Sequence, residues 1–147
     1  MTFTQLDPEE SARTRPAWFY IQSAAIPVRV RHGRLEVLLV TSRGGKRWIV
    51  PKGIVEPHLS PAESAVNEAW EEAGARGTVR SEAVGSYRYQ KWGGTLTVEV
   101  FVLDVELLED LWPEQSFRER RWFTVEQAAA LVKEDELARM IRELAAA

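Results

Sequence analysis

The segment Ser60–Gly74, "SPAESAVNEAWEEAG", leaves little freedom in how it folds. A serine able to cap, a proline suited to the first helical position and Glu63 three residues after the serine form a capping box. Gly74 is the natural stop. Successive side chains on a helix lie about 100° apart. With Glu68 at zero, Glu71 falls at about −60° and Glu72 at about +40°. Ala62, Ala65, Val66, Ala69, Trp70 and Ala73 fill the arc from about +60° to about +200°. One stripe is therefore apolar and packs on a sheet, while the stripe beside it carries three carboxylates. Like charges three and four residues apart weaken an isolated helix, and no Lys or Arg lies among them. A solvated acidic face is the ordinary reading of such a stripe. The sharper reading is a divalent cation site, since hard cations prefer carboxylate oxygens and keep waters that a phosphate can replace.

Around this helix the pattern is strand-like. "FYIQSAAIPVRV" leads through "RHGR" to "LEVLLVTS"; "RGGK" turns the chain into the short "RWIVP". After the helix come "TVRSEAVGSYRYQKW", a hairpin turn at Gly93–Gly94, "TLTVEVFVLDV" and a last short strand in "RERRWF". Thr124 with Gln127 opens one terminal helix and "DELARMIRELAAA" closes the chain as another. Strands, a helix, more strands and then helices predict an α+β fold, a mixed sheet with helices packed against it. Residues 1–17, polar and with two prolines, read as an arm, and residues 18–147 as one domain. There is neither an internal repeat nor a linker.

Bulk properties narrow the chemistry. The chain has no cysteine, so disulfides, thiolate metal sites and cysteine nucleophiles are excluded. A net charge of −3 argues against nucleic acid as a partner, while local basic clusters suit a small phosphorylated molecule. No apolar run is long enough to span a bilayer, so no membrane association is expected and the cytoplasm is the default compartment. A homodimer is compatible with the sequence. The spacing Gly-x4-Gly-Lys-Ser/Thr is absent, so Pro51-Lys52-Gly53 is not a P-loop.

Gly53 followed by "EAWEEAG" at residues 68–74 resembles the signature of the Nudix hydrolases, G-x5-E-x7-R-E-U-x-E-E-x-G-U, with U a bulky aliphatic residue. "LEVLLVTSRGGKRWIVPKG", "ARGTV" and "ERRWFTVEQA" extend the resemblance over roughly residues 20 to 132, toward the diphosphoinositol-polyphosphate and diadenosine-polyphosphate hydrolase branch. The resemblance implies a Nudix-type α/β/α sandwich. It also implies a pyrophosphohydrolase needing Mg2+ or Mn2+, acting on a nucleoside diphosphate linked to X. The expected small-molecule polyphosphate substrate is a dinucleoside polyphosphate first, with an inositol pyrophosphate the alternative that the resemblance offers and a nucleoside triphosphate next. Glu68 and Glu72 match the family's metal ligands, and Glu71, also a metal candidate, matches the position of the catalytic base; Glu119 is its runner-up. The carbonyl near Lys52 and Gly53 is a further candidate ligand. Two positions depart from the signature, Leu59 for its first glutamate and Asn67 for its arginine. Joint loss of two charges that pair in the family is consistent with other contacts replacing an ion pair; Glu56 is a candidate substitute for the missing loop carboxylate. It also leaves open a non-catalytic nucleotide- or phosphate-sensing domain on the same fold.

Substrate phosphates need cations from outside the acidic helix. Arg43, Lys46 and Arg47 in "TSRGGKRW", with Lys52 and Gly53 after it, are the candidates. Arg29, Arg31, Arg88 and Lys91 rank second. Trp48, Trp70 and Trp122 fall in apolar patterns that predict core packing, Trp92 is the best stacking candidate, and His32 and His58 read as exposed polar residues.

Overall fold

The computed structural model describes residues 21–146; the expected arm at residues 1–17 lies outside them. Eight strands form one sheet: β1 (Ile21–Arg31), β2 (Arg34–Thr41), β3 (Trp48–Ile49), β4 (Lys52–Ile54), β5 (Ala75–Val79), β6 (Gly85–Lys91), β7 (Gly94–Leu108) and β8 (Arg120–Thr124). Helix α1 (Pro61–Ala73) falls between β4 and β5, and α2 (Val125–Leu131) and α3 (Asp135–Ala146) follow β8. Along the main path the order is β3-β2-β1-β7-β5, with β4 on β1, β6 on β7 and β8 on β2. The sheet is mixed as expected, because β1 runs parallel to β7 while its pairings with β2 and β4 are antiparallel.

Both faces of the central strands are covered, which is why they read as near-continuous apolar runs. Alternation divides β2 and β7 between two cores. Leu38, Val40, Phe101 and Leu103 meet Ala65, Ala69 and Ala73 of α1 on one face. Val37, Leu39, Val98, Val100 and Val102 meet Ala128, Leu137 and Ile141 of the terminal helices on the other. This is the expected α/β/α sandwich. Among the described residues no helix is long and apolar enough to cross a membrane.

The β6–β7 hairpin differs from expectation by one residue. Lys91 pairs with Gly94, so the two turn residues are Trp92 and Gly93, both with positive φ (55° and 71°). That is the sign a two-residue hairpin of the primed kind demands. The register follows from β7, where Val98 and Val100 must face the core.

Candidate active site

The site begins with how α1 is fixed. Ser60 Oγ accepts from the Glu63 N–H at 3.1 Å, and Glu63 Oε1 accepts from the Ser60 N–H at 2.9 Å. Gly74 ends the helix with φ 65°. With Ala65, Ala69 and Ala73 pressed on the sheet, the neighbouring edge of the helix carries Glu68 and Glu72 toward β4. There Gly53, held opposite Ser23 of β1, approaches so closely that a Cβ would overlap the Glu68 carboxylate.

Glu72 is 4 % exposed, and its Oε1 is buried without a hydrogen-bond partner. Burial, with the hydrogen bond to Glu68 and the Glu68 charge behind it, pushes the Glu72 carboxyl up to about 9. Burial also raises Glu68, against the hydrogen bond with Glu72 and with the Glu71 charge behind it. Two neighbouring carboxyls whose ionisation their surroundings disfavour, with one orphaned oxygen on Glu72, are a donor set that fits a hard divalent cation. Glu71 has a partner of its own. Asn67 Nδ2 donates to its Oε1 at 3.2 Å, so the asparagine at the signature's arginine position touches the candidate base. Among the described residues no three acidic or histidine side chains meet at one point. The structure thus brings together Glu68, Glu72 and Gly53, with Glu71 beside them.

A groove of about 400 Å³ opens on Glu72 and is lined by Arg43, Arg47, Lys52, Lys91 and Arg118, with Ile49 as its apolar side chain. Of the expected cations, Lys46 does not line it and is exposed in the β2–β3 turn. Lys52 lies over the Tyr89 ring at 4.4 Å, and burial lowers its pKa. Tyr89 is held in turn by its hydroxyl, which donates to Gln22 Oε1 at 2.7 Å. Among the second-rank cations only Lys91 joins the groove; Arg29 is engaged elsewhere, 2.7 Å from Glu36 and stacked on Trp122.

Arg118 was not anticipated from the sequence, nor was Glu114. Buried at 9 % exposure, Arg118 donates through Nη1 to the Thr41 carbonyl at 2.8 Å and through Nε to Glu114 at 2.9 Å. Its Nη2 stands 3.6 Å from Glu72 Oε1, beyond hydrogen-bond reach. The alternation Arg118, Arg120, Trp122 was the available signal, since Trp122 packs in the core on the α1 face. Glu119 instead pairs its backbone with Thr41 and lines a neighbouring cavity with Phe117 and Gln115, outside the groove.

Leu59 and Asn67, which have no charges to pair, both line a cavity of about 560 Å³ beside α1. Trp70 borders that cavity too, its ring covered by Arg76 at 3.9 Å rather than packed in the core as expected. Trp48 and Trp122 do pack against the cores. Glu56 lies 3.3 Å from His58 on the exposed loop.

A family model described as the NUDIX domain matches residues 20–144. The chain belongs to the Nudix family. Nudix hydrolase 12, mitochondrial, of Arabidopsis thaliana is 37% identical over 119 residues, covering 75% of this chain and 58% of that protein. The chain spans little more than half the length of that protein and of two further plant Nudix relatives. Diphosphoinositol polyphosphate phosphohydrolase 3-alpha of Homo sapiens is 34% identical over 128 residues, covering 86% of this chain and 77% of that one. Among solved structures, a C. elegans Ap4A hydrolase in a binary complex superposes with a TM-score of 0.75 at 21% identity, over 86% of this chain and 96% of that one. That likeness is one of Nudix fold.

Proposed function

We propose that this Nudix chain is a Mg2+- or Mn2+-dependent hydrolase of a phosphoanhydride bond in a small polyphosphate. The observation that carries the reading is the buried Glu72, with its unpartnered oxygen, in a groove lined by five cations and with the half-buried Glu68 beside it. Glu68 and Glu72 would hold the metal, with the backbone at Gly53 close by. When bound, the cation neutralises phosphate charge and acidifies a bound water. Arg43 and Arg47 present forked donors to phosphate oxygens, Lys52 and Lys91 add point charges, and Arg118, held by Thr41 and Glu114, contributes positive charge beside Glu72. Glu71 accepts the proton of the attacking water, and its hydrogen bond from Asn67 orients the carboxylate for that transfer.

The rings of Tyr89, Trp92 and Phe117 lie against Lys52, Lys91 and Arg43 of the groove. The classes to compare are therefore an inositol pyrophosphate, dense in charge, and a dinucleoside polyphosphate, whose bases need flat apolar surface. Phosphate release with product identification, over a panel holding both classes, with and without Mg2+ and Mn2+, tests this. Metal-dependent release lost in Glu71→Gln and in Glu72→Gln is the expected result. Ligand uptake without release in any metal would make the chain a binding domain instead.

A further inference from the structure

The last turn of α1 is held from outside the helix. Gly74 N–H closes on Trp70 O at 2.9 Å, which leaves the following carbonyls without helical partners. Water commonly serves such groups; here residues 109–120, the β7–β8 connection with the first residue of β8, serve all four. Glu71 O accepts from the Glu114 N–H at 3.0 Å and Gly74 O from the Glu109 N–H at 2.8 Å. Glu72 O accepts from Trp112 Nε1 at 3.0 Å and Ala73 O from Arg120 Nη1 at 2.9 Å. Arg120 Nη1 also donates to Glu109 O at 2.8 Å, and its guanidinium stacks on the Trp112 ring at 3.9 Å. The last turn of α1 has no basic residue of its own, so Arg120 supplies the positive charge that a helix C-terminus favours.

The same connection then delivers Arg118 to within 3.6 Å of the Glu72 carboxylate. Glu72 is consequently gripped at its main-chain carbonyl and faced at its side chain by one segment. We propose that this segment is the positioning element of the carboxylate helix, with Trp112 and Arg120 as positioning residues that set where Glu68 and Glu72 stand against Gly53. The proposal rests on the metal reading of that pair. Gly74 fits the arrangement, since a Cβ there would press on Arg120 Nη1 at 2.9 Å and on Trp112 Cβ at 3.0 Å.

Trp112→Phe keeps the ring and removes the donor; Arg120→Lys keeps the charge and removes the fork. Mn2+ uptake by calorimetry, with circular dichroism to verify the fold, separates positioning from bulk stability. Loss of an outer contact to a metal ligand weakens metal affinity by about tenfold or more, and a fall of that order is expected in both variants. Activity at saturating Mn2+ should lose more in kcat than in KM. Wild-type Mn2+ uptake with variants within about twofold of it would overturn the proposal alone; no uptake by the wild type would overturn the metal reading with it. Should either variant fail to fold, amide exchange on the wild-type protein decides. Mn2+ should slow exchange at the Glu109 and Glu114 N–H groups that bind α1, and unchanged exchange there refutes the coupling.

Discussion

Gly53 and Glu72 act on the site through size and proton affinity respectively. Gly53→Ala would drive a methyl group into the Glu68 carboxylate. The clash is with the tip of a flexible side chain, so the variant should stay folded, and displacement of Glu68 should abolish Mn2+ uptake in calorimetry. Glu72 is raised from an ordinary 4.5 to about 9, so the folded state prefers the neutral carboxyl. Its contribution to stability is complete below the unfolded value and is lost as pH climbs toward 9, with Glu68 acting in the same direction. In metal-free buffer the melting temperature should therefore fall between about pH 5 and pH 9. Glu72→Gln should flatten much of that slope, and Mn2+, by taking the ionised form, should restore the wild-type stability at high pH. A wild-type slope indistinguishable from that of Glu72→Gln would count against the buried pair. Glu68 and Glu72 were legible before folding because a helical period is local. The approach of Gly53 to Glu68 was not, because it depends on how β4 packs beside the helix.

Helix α1 shows what short-range chemistry can specify. Its start at Ser60 and its stop at Gly74 are where the sequence places them, since capping boxes and left-handed glycines are matters of a few neighbouring residues. Ser60→Ala should cost about 1 kcal/mol in denaturant unfolding. Gly74→Ala combines a left-handed backbone with pressure on Trp112 and Arg120, and should cost more, about 2 kcal/mol or above. Equal costs for the two variants would argue that the outside grip on the helix end contributes nothing. The β6–β7 turn was misplaced by one residue because a glycine pair is visible in the sequence, whereas the register that puts Trp92 in the turn is set across the sheet. Arg118 was only faintly legible, through its alternation with Trp122, for a related reason. It belongs to a connection whose role emerges only when it packs against α1 and Thr41.

At the scale of the whole molecule, a chain of net charge −3 concentrates five cations along one groove. A cleft of one sign focuses field and accelerates the arrival of opposite charge. For a polyphosphate substrate kcat/KM should fall steeply as salt rises, and Arg43→Ala with Arg47→Ala should raise KM by about tenfold or more with kcat little changed. An unchanged KM in that double variant would remove the hairpin from phosphate recognition. The sandwich and its mixed sheet were predictable from alternating apolar runs and the order of elements. The groove was only partly so, because Lys91 and Arg118 reach it from segments far from the β2–β3 hairpin in the chain.

The parallel pairing of β1 with β7 joins partners as distant in sequence as Ile21 and Thr97. Distant pairing of this kind makes for slow folding, since a large loop must close before any contact compensates for it. During synthesis, the strand that seats Gly53 would wait for its long neighbour until most of the polypeptide has left the ribosome. A nascent fragment ending before Gly94 should stay open to protease, its acidic helix capped at the start yet without a floor to stand on.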